Sequence, residues 1–166
     1  MASQPPDQHA VALKLRALVM DPVSHMPVVV LQREDQSAFL PIWIGLCEAN
    51  AIALQMEGVS SPRPMTHDLL LSLIQSLDYS LEHVLIHTLQ DNVFFARLHL
   101  RANGGRTVEV DARPSDAVAL ALRASAPILA TDEVLRVAET TATDDEETLR
   151  TILRRLRPED LGEYEM

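Results

Sequence analysis

The chain has 166 residues, 47% of them hydrophobic, and 14 basic residues stand against 24 acidic ones for a net charge of −10. That length suits one well-buried domain rather than two, and the acidic balance argues against broad electrostatic attraction to nucleic acid. The objection is moderate, because the part up to Ala130 holds 9 Lys or Arg against 13 Asp or Glu, and the remainder 5 against 11.

A single cysteine, Cys47, excludes an intrachain disulfide and reads as a buried small side chain. No run of about 18 apolar residues occurs, so no membrane span is expected, and the expected address is cytoplasmic. Residues 1–9 are polar and Pro-rich without signal-peptide features, and read as a disordered leader.

Ala10 to Met20 and Pro27 to Gln32 are rich in Val and Leu and flank the turn-forming Asp21-Pro22-Val23-Ser24, which predicts a hairpin. Ala38 to Ile44 follows as a third strand, placed at an edge or bulge by Pro41. With Trp43, Ile42 and Ile44 on that edge, apolar surface is expected to be covered in a homodimer. Leu46 to Glu57 has helical spacing in Ala49, Ile52, Ala53 and Met56, with Gly58 as its stop. A second helix, Thr66 to Leu77, carries Leu70, Leu73, Ile74 and Leu77 as an expected core stripe. Leu81 to Leu89 and Val93 to Leu100 pair across Gln90-Asp91-Asn92, and Asn103-Gly104-Gly105 turns the chain into a strand ending at Asp111. A helix capped by Ser115, a short strand over Pro127 to Ala130 and a brief helix over Asp132 to Ala138 complete the domain, 10–138. Residues 139–166 read as a linker, a helix over Glu146 to Leu156 and an acidic tail. Two rounds of meander followed by a helix predict an α+β fold, with an antiparallel or mixed sheet covered by helices on one face.

The chemistry concentrates at two junctions of one design. Arg63-Pro64-Met65-Thr66-His67-Asp68 and Asp111-Ala112-Arg113-Pro114-Ser115-Asp116 each lead from an Arg-Pro pair through a hydroxyl cap to an acid in a helical first turn. Unpaired backbone N–H groups and the helix dipole make such a spot anion-friendly, and the same dipole stabilises Asp68 and Asp116 whether or not they act. Arg63 and Arg113 gain nothing from capping, so each is read either as a clamp on its own Asp or as a phosphate contact. Asp111 ends a strand, which suits a functional carboxylate or a solvated one. His67 fits a general acid or base, a metal ligand or a surface residue. Glu48 lies near a helix N-terminus, whereas Glu57 sits at the end the dipole disfavours and calls for an Arg partner or a metal. His83 and His87, about 13 Å apart along a strand, cannot share a metal and read as sheet-face residues. The two junctions are expected to meet, because two charged helix starts are hard to bury separately.

Leu40-Pro41-Ile42-Trp43-Ile44-Gly45 with Glu48-Ala49, the Arg63-to-Leu70 stretch, the run from Asp111 to Arg123 and the ending Pro158-Glu159-Asp160-Leu161-Gly162-Glu163-Tyr164 together resemble the bacterial and plant bifunctional nuclease family. The resemblance implies an α+β domain, often dimeric, with DNase and RNase activity. Carried onto this sequence, its candidates are Glu48, Glu57, Arg63, Thr66, His67, Asp68, Asp111, Arg113, Ser115 and Asp116. On that reading Asp68, His67, Asp116, Asp111 and Glu57 are catalytic, and Arg63, Arg113, Thr66 and Ser115 meet the phosphate. A divalent cation, Mg or Mn, is held by Asp111, Asp116 and Glu48, with Asp68 and Glu57 as further ligand candidates. The rival reading is a non-catalytic dimeric module binding a protein or an anion. Carboxylates converging on an open cation position favour the nuclease; carboxylates each paired to an Arg favour the module.

Overall fold

The computed structural model describes residues 10–35 and 37–141, with side chains described through Ala138; the expectations for 1–9 and 142–166 lie outside them. The elements run β1 (Ala10–Met20), β2 (Pro27–Arg33), β3 (Phe39–Trp43), α1 (Leu46–Met56), α2 (Thr66–Ser76), β4 (Tyr79–Gln90), β5 (Val93–Ala102), β6 (Thr107–Ala112), α3 (Pro114–Ala124), β7 (Ile128–Thr131) and α4 (Asp132–Thr141). The helix expected over Asp132 to Ala138 thus continues to Thr141.

The strands form one seven-stranded sheet in the order β3-β2-β1-β7-β4-β5-β6. Each meander spreads outward from the centre, and β7 joins them, antiparallel to β1 and parallel to β4. The sheet is therefore mixed and the fold α+β. Strand alternation sorts the side chains: Val29 and Leu31 enter the main core, whereas Val28 and Val30 join Ala17 in a smaller cluster. Asp91 and Asn92, both at positive φ, make the two-residue β4–β5 turn. Helix α3 is buried from Ala117 through Ala121 and touches α1, α2, β4 and β5, so it is the hub of the helical layer.

Three expectations fail here. Ile42 and Ile44 are buried in the core, and the Trp43 indole N–H donates to Asp21 Oδ2 at 3.0 Å. β3 is an edge strand, and of the three apolar residues expected at its surface only Trp43, 38% exposed, is there. The α2 stripe is also not core: Ile74 is buried, but Leu70, Leu73 and Leu77 are exposed, together with Leu69. At 3.6 residues per turn neighbouring positions differ by about 100°, and the helix is rolled so that His67 and Ile74 face inward, leaving Leu73 outside. Cys47, expected buried, is exposed in the first turn of α1.

Candidate functional site

Proline builds the centre of the site. Arg113, preceding Pro114, is held extended at φ −70 and ψ 145 and serves as the N-cap of α3, with Pro114 as the first helical residue. Its guanidinium reaches sideways across the helix start. Nε donates to Asp116 Oδ2 at 2.8 Å and Nη2 to Glu48 Oε1 at 2.6 Å. Glu48 folds back over its own N-cap, Gly45, where a Cβ would run into the Glu48 carboxylate. The other Asp116 oxygen, Oδ1, lies 3.0 Å from His67 Nε2 at the start of α2. Burial alone would raise the Asp116 carboxyl, but hydrogen bonds from Arg113 and His67 outweigh it and hold it below the usual carboxylate range. Asp116 is thus an ionised acceptor, which places the imidazole proton on Nε2. Hydrogen bonds to Asp116 and Glu48 raise the Arg113 guanidinium in turn. His67 is buried behind Asp116, while the Arg113 side chain is 67% exposed in front.

A second guanidinium works differently. Arg123, 6% exposed at the end of α3, donates from Nε to Asp68 Oδ1 at 2.6 Å, from Nη1 to the Ala119 carbonyl at 2.9 Å and from Nη2 to the Ala51 carbonyl at 3.1 Å. Asp68 also accepts the Met65 N–H at 2.9 Å, and these bonds, the Met65 one foremost, lower its carboxyl. One buried side chain therefore ties α1, α2 and α3 together. Sequence reasoning missed it; its signal is a lone arginine closing an otherwise apolar helix.

The two helix starts meet as expected, bringing Glu48, His67, Arg113 and Asp116 into one cluster. The hydroxyl caps do not form: Thr66 is the exposed first residue of α2, whose N-cap is Met65, and Ser115 is buried inside α3, out of a phosphate's reach. Asp68 pairs with Arg123 rather than Arg63, which is exposed and ion-paired with no described residue. Glu57 caps α1 with its backbone and leaves its side chain exposed, so its awkward dipole position has no Arg to explain it among the described residues. Asp111 stays on β6 opposite Arg97 and makes no hydrogen bond to the cluster. His83 stacks on His99 with ring centres 4.1 Å apart, as a sheet-face residue. Along the Arg123–Asp68 pair a cleft of ≈ 320 Å³ is lined by Pro62, Pro64, Met65, Asp68, Ser72 and Arg123 among others.

Glu48 and Asp116 do converge, but on a guanidinium. Among the described residues no three His, Cys, Asp or Glu side chains form a cation's ligand set. The donors as arranged do not fit the divalent ion expected at Asp111, Asp116 and Glu48. Among the described residues no helix is long and apolar enough to cross a membrane.

A family model described as the bifunctional nuclease domain matches residues 29–143. An uncharacterized protein of Mycobacterium tuberculosis is 42% identical over 141 residues, 84% of each chain. Bifunctional nuclease 1 of Oryza sativa is 24% identical over 110 residues, 65% of this chain and 33% of its own length. Bifunctional nuclease 1 of Arabidopsis thaliana is 29% identical over 121 residues, 68% of this chain and 37% of its own. This chain thus spans about a third of those plant proteins. The match runs from within β2 through α4 and takes in every residue of the Glu48–His67–Arg113–Asp116 cluster, and on that extent the chain belongs to the bifunctional nuclease domain family.

Proposed function

We propose that the chain is a phosphodiesterase of DNA and RNA whose site is the Glu48–Arg113–Asp116–His67 cluster, working as a homodimer. The observation that carries this reading is the exposed Arg113 guanidinium, fixed by two carboxylates at the start of α3. A planar fork at a helix N-terminus meets a phosphate with two donors and a favourable dipole. Phosphate oxygens compete with Glu48, the carboxylate on a single bond, for Nη2. The freed carboxylate takes a proton from the attacking water, the new P–O bond forms, the ester P–O bond breaks, and the departing alkoxide leaves as the alcohol by taking the proton that Glu48 then holds, which restores the carboxylate. Asp116 stays on the guanidinium, and His67 holds Asp116 in place from behind.

A second reading rests on its own observation. Glu48 and Asp116 are both paired to Arg113 and Asp68 to Arg123, so a non-catalytic module that binds an anion or a protein at this surface is also served by the geometry. Labelled single-stranded DNA and RNA incubated with wild type, Glu48→Gln and Asp116→Asn separate the two, with Mg²⁺, Mn²⁺ or chelator in parallel. The nuclease reading expects cleavage by wild type that falls at least tenfold in Glu48→Gln. Binding without cleavage in every condition selects the module, and equal cleavage by all three proteins removes this cluster from the chemistry.

A further inference from the structure

The cleft of ≈ 320 Å³ along the Arg123–Asp68 pair lies within the about 300–1,000 Å³ usual for small-molecule sites. Val59, Pro62, Pro64 and Met65 supply apolar wall, and the charged pair lines it beside them. Asp68 is the accessible half of that pair: its side chain is 38% exposed, against 6% for Arg123. Oδ1 accepts the Arg123 Nε–H and Oδ2 the Met65 N–H, so each oxygen keeps an acceptor site unused among the described residues. Those bonds lower the carboxyl, so both sites belong to an ionised group. Two acceptors side by side call for a ligand with two adjacent donors. Because Arg123 already balances the Asp68 charge, a neutral donor pair suits this spot better than a second cation, which the guanidinium would repel.

We infer that this cleft takes an unpaired guanine base of a single-stranded nucleic acid, with its N1–H and N2–H donating to the two Asp68 oxygens. Of the nucleobases only guanine presents two adjacent donors on its Watson–Crick edge. Adenine, cytosine and thymine or uracil each place an acceptor next to their donor, and that acceptor would face the carboxylate. The apolar side chains meet the faces of the base, as in other pockets that hold a base outside its stack. The Gln55 amide, which also lines the cleft, is the donor at hand for guanine O6. In a duplex the Watson–Crick edge is occupied, so the substrate class is single-stranded. The guanine subsite rests on the phosphodiesterase reading and adds a base preference to it. Asp116 of the cluster and Arg123 of the cleft lie about two helical turns apart on α3, or about 10 Å. That is about three base steps at the stacked spacing of about 3.4 Å, so a strand with guanine in the cleft brings a nearby phosphate to Arg113.

Fluorescence anisotropy of wild type with short, phosphorothioate-linked oligo-dT strands measures the preference, one strand carrying a single central dG, one a single deoxyinosine and one dT throughout. The dG strand is expected to bind about tenfold more tightly than the dT strand. Deoxyinosine, which keeps N1–H but lacks the N2 amino group, is expected to fall between them. Asp68→Asn, which exchanges one acceptor for a donor, is expected to bind all three at the dT level. If Asp68→Asn fails to fold, the ranking of the three strands on wild type decides alone. Equal binding of the three strands, or a dG preference that survives in Asp68→Asn, overturns the guanine site and leaves the phosphodiesterase reading standing. Binding to none of them overturns both. Tighter binding of an arginine-bearing peptide than of the dG strand, lost in Asp68→Asn, assigns the cleft to a protein's cation and likewise overturns the inference.

Discussion

Replacing Arg123 with alanine removes a side chain that bonds to three helices at once. The loss has three parts. The Ala119 and Ala51 carbonyls each lose a guanidinium donor, for which the about 0.5–1.5 kcal/mol of a neutral hydrogen bond is the floor. The alkyl stem leaves a small cavity between helices, since an arginine 94% buried packs along its length. Asp68 loses its cation, but this term is the smallest: its side chain is 38% exposed and still accepts the Met65 N–H, so water replaces much of the pairing. The precedent of about 3–5 kcal/mol for a broken buried ion pair is therefore an upper limit, and we expect about 2–3 kcal/mol. For a domain of this size that is a fall of roughly 4–12 °C in melting temperature. Urea unfolding followed by circular dichroism measures it, with Arg123→Lys expected to fall between wild type and alanine because an ammonium lacks the fork that reaches both carbonyls. A change under about 0.5 kcal/mol, the range of ordinary surface substitutions, refutes the view that this residue locks the helical layer.

Arg113→Ala should behave in the opposite way. Its guanidinium is 67% exposed while Glu48 and Asp116 are 16% and 31% exposed, so water replaces most of the pairing and stability should change by about 1 kcal/mol, while the salt dependence of nucleic-acid binding flattens by about one charge; a large drop in melting temperature with an unchanged salt slope identifies a structural clamp instead. Acid should act through Asp21, whose carboxyl is lowered to about 2 by hydrogen bonds from Ser24, the Trp43 indole and the Val23 N–H. Because the folded value is depressed, its contribution is complete above the unfolded pKa near ~3.9 and is lost as pH falls through about 2. Fluorescence of Trp43, the sole tryptophan, should report that loss, and a trace for Asp21→Asn that matches wild type removes the assignment.

The sheet was legible wherever side chains alternate or turns carry their own signal, as at Asp91-Asn92 and Pro41, because those constraints are local. Convergence of the two helix starts was legible for a different reason: charged groups in a small domain have few places to share. What could not be read is rotation and partner choice. The leucines of α2 fit a buried stripe equally well on either side of Ile74, and only packing against α3 and β4 selects the roll. Likewise, an arginine two residues from an acid, as Asp111 and Arg113 are, and one three residues from it look alike in a sequence. The backbone set by Pro114 turned Arg113 toward Asp116 and Glu48 rather than Asp111. Asp68 found its cation 55 positions away, a distance over which no spacing rule operates.

The position of β7 governs the order in which the molecule can be completed. Both meanders are made of neighbouring strands and can form soon after they are synthesised, yet they share no border: β1 and β4 face each other across a gap that only Ile128–Thr131 fills. Until that four-residue segment emerges, a growing chain carries two partial sheets, each with an unpaired inner edge of apolar strand. Its insertion pairs Thr131 with Ala10 and so closes nearly the whole described length in one late, non-local step, the kind that slows folding. Because α3 directly precedes β7 in the chain, the same step helps to set α3 against the other helices. A ribosome-bound chain lacking β7 therefore has no finished sheet, and the interval before its arrival is when misassembly between chains has its opening.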